Sequence, residues 1–356
     1  MKRLLAIMIL AAWAVGCQDA EALRHAGMGH LALSRGELDA AMQEFEEAIK
    51  LDSTLATAYC GLGDVYRQEG KMEKAITPYQ HAIQAMPFEF TFHFRLGTVY
   101  QALDRDKDAA RTYETAVELN PDDPPVNINL GVVYFRIGVL EPDKERRTQD
   151  LEKGRGYAEK AVELAPNHGF AWSNLGALYD ALGDSYRAVS AYRKSIEIDP
   201  NQGPVHVNLG TAYLLQGRLD KALEEFQLAQ AADPGSPLVR KRLAYVYSKQ
   251  KKYGAAIEQW QEVLKADPKD YEVRNSLAAV YMIFYLRHPE QDHLRQQALE
   301  EWHQSLESRS DQPQVRAMLA KWAKPLEGVT PLPSDEAVSE SLLGKPAEKP
   351  VAVPSP

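Results

Sequence analysis

The sequence predicts an all-α fold, a solenoid of about eight helix-turn-helix repeats closed by a C-terminal capping helix. Three observations predict it. The first is a beat: Gly29, Gly63, Gly97 and Gly131 stand 34 residues apart, the beat resumes after one interruption at Gly176 and Gly210, and it continues at Ala244 and Ala278. Glycine inside a helix costs about 1 kcal/mol relative to alanine. A physical need must therefore recur at this place, and close approach of a neighbouring helix, which only Gly or Ala permits, supplies it. The second is periodicity. Trp172, Leu175, Gly176 and Tyr179 fall at i, i+3, i+4 and i+7, one face of a helix, and Ala188, Tyr192 and Ser195 mark one face of a second. The third is punctuation. Gly183 separates the two helices and Pro200 stops the second, because a residue before proline avoids the α region.

The same marks return as Tyr59, Leu62, Gly63, Tyr66, Gly70, Ala75, Tyr79, Ala82 and Pro87, and again as Leu209, Gly210, Tyr213, Gly217, Ala222, Phe226, Ala229 and Pro234. This pattern resembles the tetratricopeptide repeat (TPR), whose period is 34 residues. The resemblance implies a right-handed superhelix over residues 18–324, with units starting near 22, 56, 90, 124, 169, 203, 237 and 271. The first unit is degenerate, with His25 and Ala32 at places usually held by large residues, which suits a unit with one face uncovered. The fourth unit carries an eleven-residue insert near 138–150 that is expected in the inter-helix turn, extending the second helix. A smaller insert lies near 285–293, around Arg287-His288-Pro289-Glu290. Insertions in solenoids map to loops on one face, at times a binding face. Residues 314–324 read as the capping helix, and residues 325–356, rich in proline and without aromatics, read as a disordered tail.

Residues 1–17 read as a leader. Met1, Lys2 and Arg3 are followed by an apolar run, Leu4 to Val15, too short to span a membrane comfortably. The run ends in Ala14-Val15-Gly16-Cys17, which resembles the lipobox of bacterial lipoproteins. That resemblance implies that Cys17 is lipidated and becomes the first residue of the mature chain. Ordinary signal cleavage after Ala12-Trp13-Ala14 is the other reading. Gln18, in place of the Asp that favours inner-membrane retention, leans toward the outer membrane. The second of the two cysteines, Cys60, is left without a partner and reads as a small side chain near the groove.

Chemistry of other kinds finds little footing. The formal net charge of −9 argues against nucleic acid as a partner. Gly27-Met28-Gly29 and Gly61-Leu62-Gly63 sit mid-helix in the repeat frame, where backbone amides are already used, so a phosphate loop is not expected. His25, His93 and His206 share one repeat position with Tyr59 and Trp172 and read as core substitutes. His288, His293 and His303 lack metal-ligand spacing. No enzyme, metal, cofactor or small-molecule substrate is expected.

The informative places lie on the first helix of each unit. In TPR proteins that face lines a concave groove, and the sixth residues here are Gly27, Gly61, Arg95, Asn129, Asn174, Asn208, Arg242 and Ser276. Three consecutive asparagines flanked by arginines resemble the asparagine ladder of the superhelix attached to O-GlcNAc transferase, which implies capture of an extended peptide. An amide offers donor and acceptor together and so pairs with a peptide group, and arginine engages carboxylates. Phe94, Thr98, Phe135, Thr211 and Tyr245 complete the expected partner-binding set. The alternative for the asparagines is that they hold neighbouring helices in register. The reading is a non-catalytic interaction scaffold, lipid-anchored and facing the periplasm. The alternatives are a pilotin-like assembly factor for a type IV pilus or secretin, and a regulatory subunit of an envelope polysaccharide or peptidoglycan enzyme.

Overall fold

The computed structural model describes residues 19–324, which form seventeen helices and, among the described residues, no strand. Cys17, the leader and the proline-rich tail lie outside the described residues. The chain divides into two compact units at Leu182–Gly183. The first holds α1 (19–34), α2 (Leu38–Leu51), α3 (Ala56–Gln68), α4 (Met72–Ala85), α5 (Phe90–Ala102), α6 (Asp106–Leu119), α7 (Pro124–Leu140), α8 (Lys144–Leu164) and α9 (Gly169–Ala181). The second holds α10 (Ser185–Ile198), α11 (Gly203–Leu215), α12 (Leu219–Ala232), α13 (Pro237–Lys249), α14 (Tyr253–Ala266), α15 (Tyr271–Arg287), α16 (Asp292–Ser308) and α17 (Pro313–Trp322). Each unit is a stack of helix pairs, in which odd-numbered helices are the first of a repeat and even-numbered ones the second.

Local chemistry sets the boundaries. Proline opens α7, α13 and α17, where a missing N–H costs nothing. Asp123, Asp143, Asp184 and Asp270 cap α7, α8, α10 and α15 by accepting a backbone N–H from the first turn. Six of the turns between paired helices carry one left-handed residue, Gly36, Gly70, Gly183 and Gly217 and, without glycine, Asp104 and Lys251.

The cores are seams that run within helix pairs and on between successive pairs. In the first unit Tyr79, Tyr113, Leu96 and Leu130 form one cluster, and Phe45, Leu62 and Val65 another. In the second, Trp260, Leu277 and Val280 pack together, and Tyr285, Trp302 and Trp322 join α15, α16 and α17. Arg295, only 6% exposed, donates from Nη1 to the Trp322 and Ala323 carbonyls at 2.9 and 3.2 Å. It thereby satisfies the C-terminal carbonyls of α17, a helix end that otherwise has no partner.

The insert of the fourth repeat differs from expectation in where it falls. The turn between α7 and α8 keeps its usual three residues, 141–143. Instead α7 runs to 17 residues against 13 in α3, and α8 to 21 against 14 in α4. Four and seven extra residues are close to one and two whole helical turns, so the buried faces stay in phase. Gly138, which stands where other repeats place the turn glycine, lies inside α7 and accommodates Leu151 of α8.

Candidate functional site

The repeating glycine makes room for an aromatic ring sixteen residues later, on the second helix of the same repeat. A Cβ on Gly29 would approach Phe45 to 2.7 Å, on Gly63 Tyr79 to 2.8 Å, on Gly97 Tyr113 to 2.5 Å, and on Gly210 Phe226 to 2.7 Å. The fourth repeat departs from this. Ala158 occupies the aromatic slot, and the gap over Gly131 is filled by the Asn174 amide, 2.5 Å from where a Cβ would sit.

Three of the sixth-place residues, Gly61, Asn129 and Asn174, meet the slot of the repeat before them. Gly61 leaves room for the Phe45 ring. Asn129 donates from Nδ2 to the Tyr113 hydroxyl at 3.1 Å, and Asn174 donates to the Ile128 carbonyl at 3.3 Å. All three asparagines are buried, Asn129 at 9%, Asn174 at 1% and Asn208 at 2% exposure. Asn129 and Asn174 thus serve helix register through their amide N–H groups. The Asn208 Oδ1, in the second unit, is buried without a hydrogen-bond partner among the described residues.

Arg95 is placed differently. Asp64 of α3, 3% exposed, accepts from the Tyr79 hydroxyl at 2.7 Å and from Arg67 at 3.4 Å, and it pairs with Arg95 of α5. Two guanidiniums share one carboxylate, while the Arg67 and Arg95 side chains remain 40% and 36% exposed. The excess positive charge is felt nearby. Burial, and then Arg95, hold the His30 pKa below its ordinary value. Burial lifts the Cys60 thiol to about 11, against the pull of Arg95 and Arg67, so it stays protonated. Phe94 stacks on Phe90 at 5.9 Å and tilts against Tyr113, Thr98 donates to the Arg95 carbonyl at 2.7 Å, and Phe135 is buried.

In the second unit Arg242 is 8% exposed, and burial pulls its pKa below the ordinary value while Glu272 opposes that pull. The place that carries Asp64 in α3 is held before Arg242 by Thr211, whose hydroxyl donates to the Val207 carbonyl at 2.8 Å. Tyr245 is half-buried, with the Lys249 ammonium 5.3 Å from its ring. The structure therefore brings Phe94, Arg95 and Thr98 together on α5 and places Arg242 and Tyr245 together on α13.

Sequence reasoning missed Asp64 and Arg67. The available signal was that Asp64 is the only acidic residue at the ninth place of any repeat. It also read too little into the place shared by His93, Trp172 and His206. These donate to the carbonyls of Pro87, Pro166 and Pro200, and Asn127, Arg240 and Arg274 do the same to Pro121, Pro234 and Pro268. These six residues carry an N–H donor and tie the first helix of their repeat to the turn preceding it.

Among the described residues no helix is long and apolar enough to cross a membrane, and no group of three His, Cys, Asp or Glu residues is placed to hold a metal.

Models described as TPR repeat match residues 29–68 and 63–104, and models described as tetratricopeptide repeat match 90–123, 157–190, 183–244 and 241–283. No curated protein matches the chain. Among solved structures, a tetratricopeptide repeat protein from Parabacteroides merdae is 12% identical, with a TM-score of 0.51 over 86% of this chain and all of that one. The APC/C hetero-tetramer Cut9-Hcn1 gives 16% identity and a TM-score of 0.53 over 81% of this chain and 53% of that one. The pilF protein of Pseudomonas aeruginosa gives 19% and 0.49 over 61% and 93%. At these identities the likeness is one of fold. The repeat models span most of the stretch over which glycine and aromatic alternate as a lock and its filling, and on both grounds the chain belongs to the tetratricopeptide-repeat family of protein-interaction scaffolds.

Proposed function

We propose that this scaffold is a bacterial envelope lipoprotein, anchored through Cys17, that holds an extended, carboxylate-bearing segment of a partner protein against its first helices. The observation that carries the peptide part is the Asp64 cluster. A buried carboxylate orients two arginines, its single charge compensates only one of them, and both remain partly exposed on α3 and α5. An acidic side chain is the group such a pair accepts, because a guanidinium presents a planar fork to a carboxylate. Half-buried Phe94 and Thr98 lie beside it for apolar and polar contact.

The anchor reading rests on the Ala14-Val15-Gly16-Cys17 sequence. Several acyl chains hold firmly, at about 0.8 kcal/mol per buried methylene.

Two measurements test the two halves. A photo-crosslinker at Thr98 should capture a partner in cells, and D64N/R67Q/R95Q, in which the buried carboxylate is neutralised with its partners, should reduce that capture about tenfold or more without lowering helicity. Undiminished capture would reject the assignment. Metabolic palmitate labelling should be lost in Cys17→Ala; a variant that still labels ends the lipoprotein reading.

A further inference from the structure

Gly156 lies in the middle of α8, where a Cβ would meet nothing within 4 Å. The fold therefore does not require glycine there, although glycine in a helix costs about 1 kcal/mol relative to alanine. Gly156 lines a cleft of about 540 Å³ between α6 and α8, the second helices of the third and fourth repeats. Val117, Pro121 and the Tyr157 ring give the cleft apolar walls, and Glu114 and Glu118 stand one turn apart on α6.

The charges around it are unevenly satisfied. Lys160 pairs with Asp122 at 3.1 Å, Glu152 with Arg155 at 2.6 Å, and the Lys153 ammonium lies 5.3 Å from the Tyr134 ring. Glu114 accepts from the Tyr134 hydroxyl, a neutral donor that leaves the carboxylate charge uncompensated. Glu118 is exposed and one turn away. The Tyr157 phenol is held above its ordinary pKa first by burial and then by these two carboxylates.

We propose that the α6–α8 cleft is a second binding site, separate from the first-helix face, that takes a lysine or arginine side chain of a partner protein. The alkyl stem lies over Val117 and Tyr157, and the cation sits between Glu114 and Glu118. An aromatic ring attracts a cation over its face, and a long basic side chain is the residue whose apolar stem and charged head fit such walls. An acidic side chain would meet two like charges, and a purely apolar one would leave both carboxylates partly desolvated without a counterion.

The test uses the full chain with fluorescein-labelled hexalysine amide as probe and hexaglutamate as control, read by fluorescence anisotropy at low salt. Hexalysine should bind saturably and hexaglutamate should not. Gly156→Leu fills the cleft while leaving every charge in place, and it should weaken hexalysine at least tenfold with an unchanged or higher melting temperature. E114Q/E118Q keeps the acceptor for Tyr134 and should weaken it to a similar degree. D64N/R67Q/R95Q should leave hexalysine binding intact, which separates this site from the first-helix face. The proposal fails if the wild-type chain shows no saturable binding. It also fails if Gly156→Leu binds as the wild type does, since the attraction would then be general surface charge.

Discussion

Alanine at residue 97 would bring a methyl carbon to 2.5 Å from the Tyr113 ring, whereas alanine at residue 156 would meet open space. The two glycines should respond in opposite directions. Gly97→Ala should destabilise by about 1–3 kcal/mol, since overpacking exceeds the gain in helix propensity. Gly156→Ala should stabilise by up to about 1 kcal/mol. Chemical denaturation of the two variants checks both signs. The Asn129–Tyr113 hydrogen bond should show a coupling of about 1 kcal/mol in a cycle of Asn129→Ala and Tyr113→Phe. The same burial means that removing Asn129 and Asn174 would cost stability as well as any binding, so D64N/R67Q/R95Q, which removes the arginine charges without stranding the buried carboxylate, gives the cleaner probe of partner capture. The recurring glycine was legible from its spacing alone. What fills the space above it was not, because the ring lies sixteen residues away on another helix, and spacing does not say which side chain enters which gap. The hydrogen-bonding duty of the asparagines was hidden for the same reason: an amide at a groove position and an amide inside a seam look alike in one dimension.

At the scale of the element, the fourth repeat shows how a helix pair absorbs an insertion. Additions near whole turns keep Leu151 and Ala158 on the buried face of α8, so an insertion of two residues there should rotate that face by about 200° and unfold the pair. Circular dichroism of such a variant against a four-residue insertion tests the phase requirement. The helix pairs themselves were readable from glycine, proline and the 3.6-residue period. The division of the insert between two helices was not, because the segment has good helix formers throughout and no punctuation of its own. In α11, His206 contacts Glu225 at 2.7 Å and the Pro200 carbonyl at 3.2 Å. The hydrogen bond that its ring donates to the Glu225 carboxylate raises its pKa above the ordinary 6.5, against the effect of burial. A raised folded value means that this stabilisation is complete below 6.5 and is lost as pH rises through the folded value. The second unit should therefore melt at a lower temperature at pH 8 than at pH 6, and His206→Gln should flatten that difference in calorimetry.

At the scale of the whole molecule, repeat stacking leaves apolar faces at the ends of the array, and α17 covers one of them. Ending the chain at Ser308 would uncover Trp302 and Leu286 and strip Arg295 of its two carbonyl acceptors. The shortened protein should bind a hydrophobic dye and melt earlier than the full chain. Fold class, repeat count and the capping helix were all present in the sequence, because a period is a global signal carried by many residues at once. The Asp64 cluster was only half present. Arg95 stood out by its place, while Asp64 and Arg67 acquire meaning only when α3 and α5 are set side by side. The α6–α8 cleft was not readable at all, since its walls come from separate helices that only packing brings together.

The contacts of Gly61, Asn129 and Asn174 with the slot before them also constrain how such a chain can be lengthened or shuffled. Gly61 suits the bulk of Phe45, Asn129 suits the hydroxyl of Tyr113, and Asn174 suits the vacancy left by Ala158. Neighbouring modules are therefore keyed to one another and are not freely exchangeable copies. A duplicated block would join smoothly only where its leading residue agrees with the ring that precedes it, so the order of the blocks is itself inherited information.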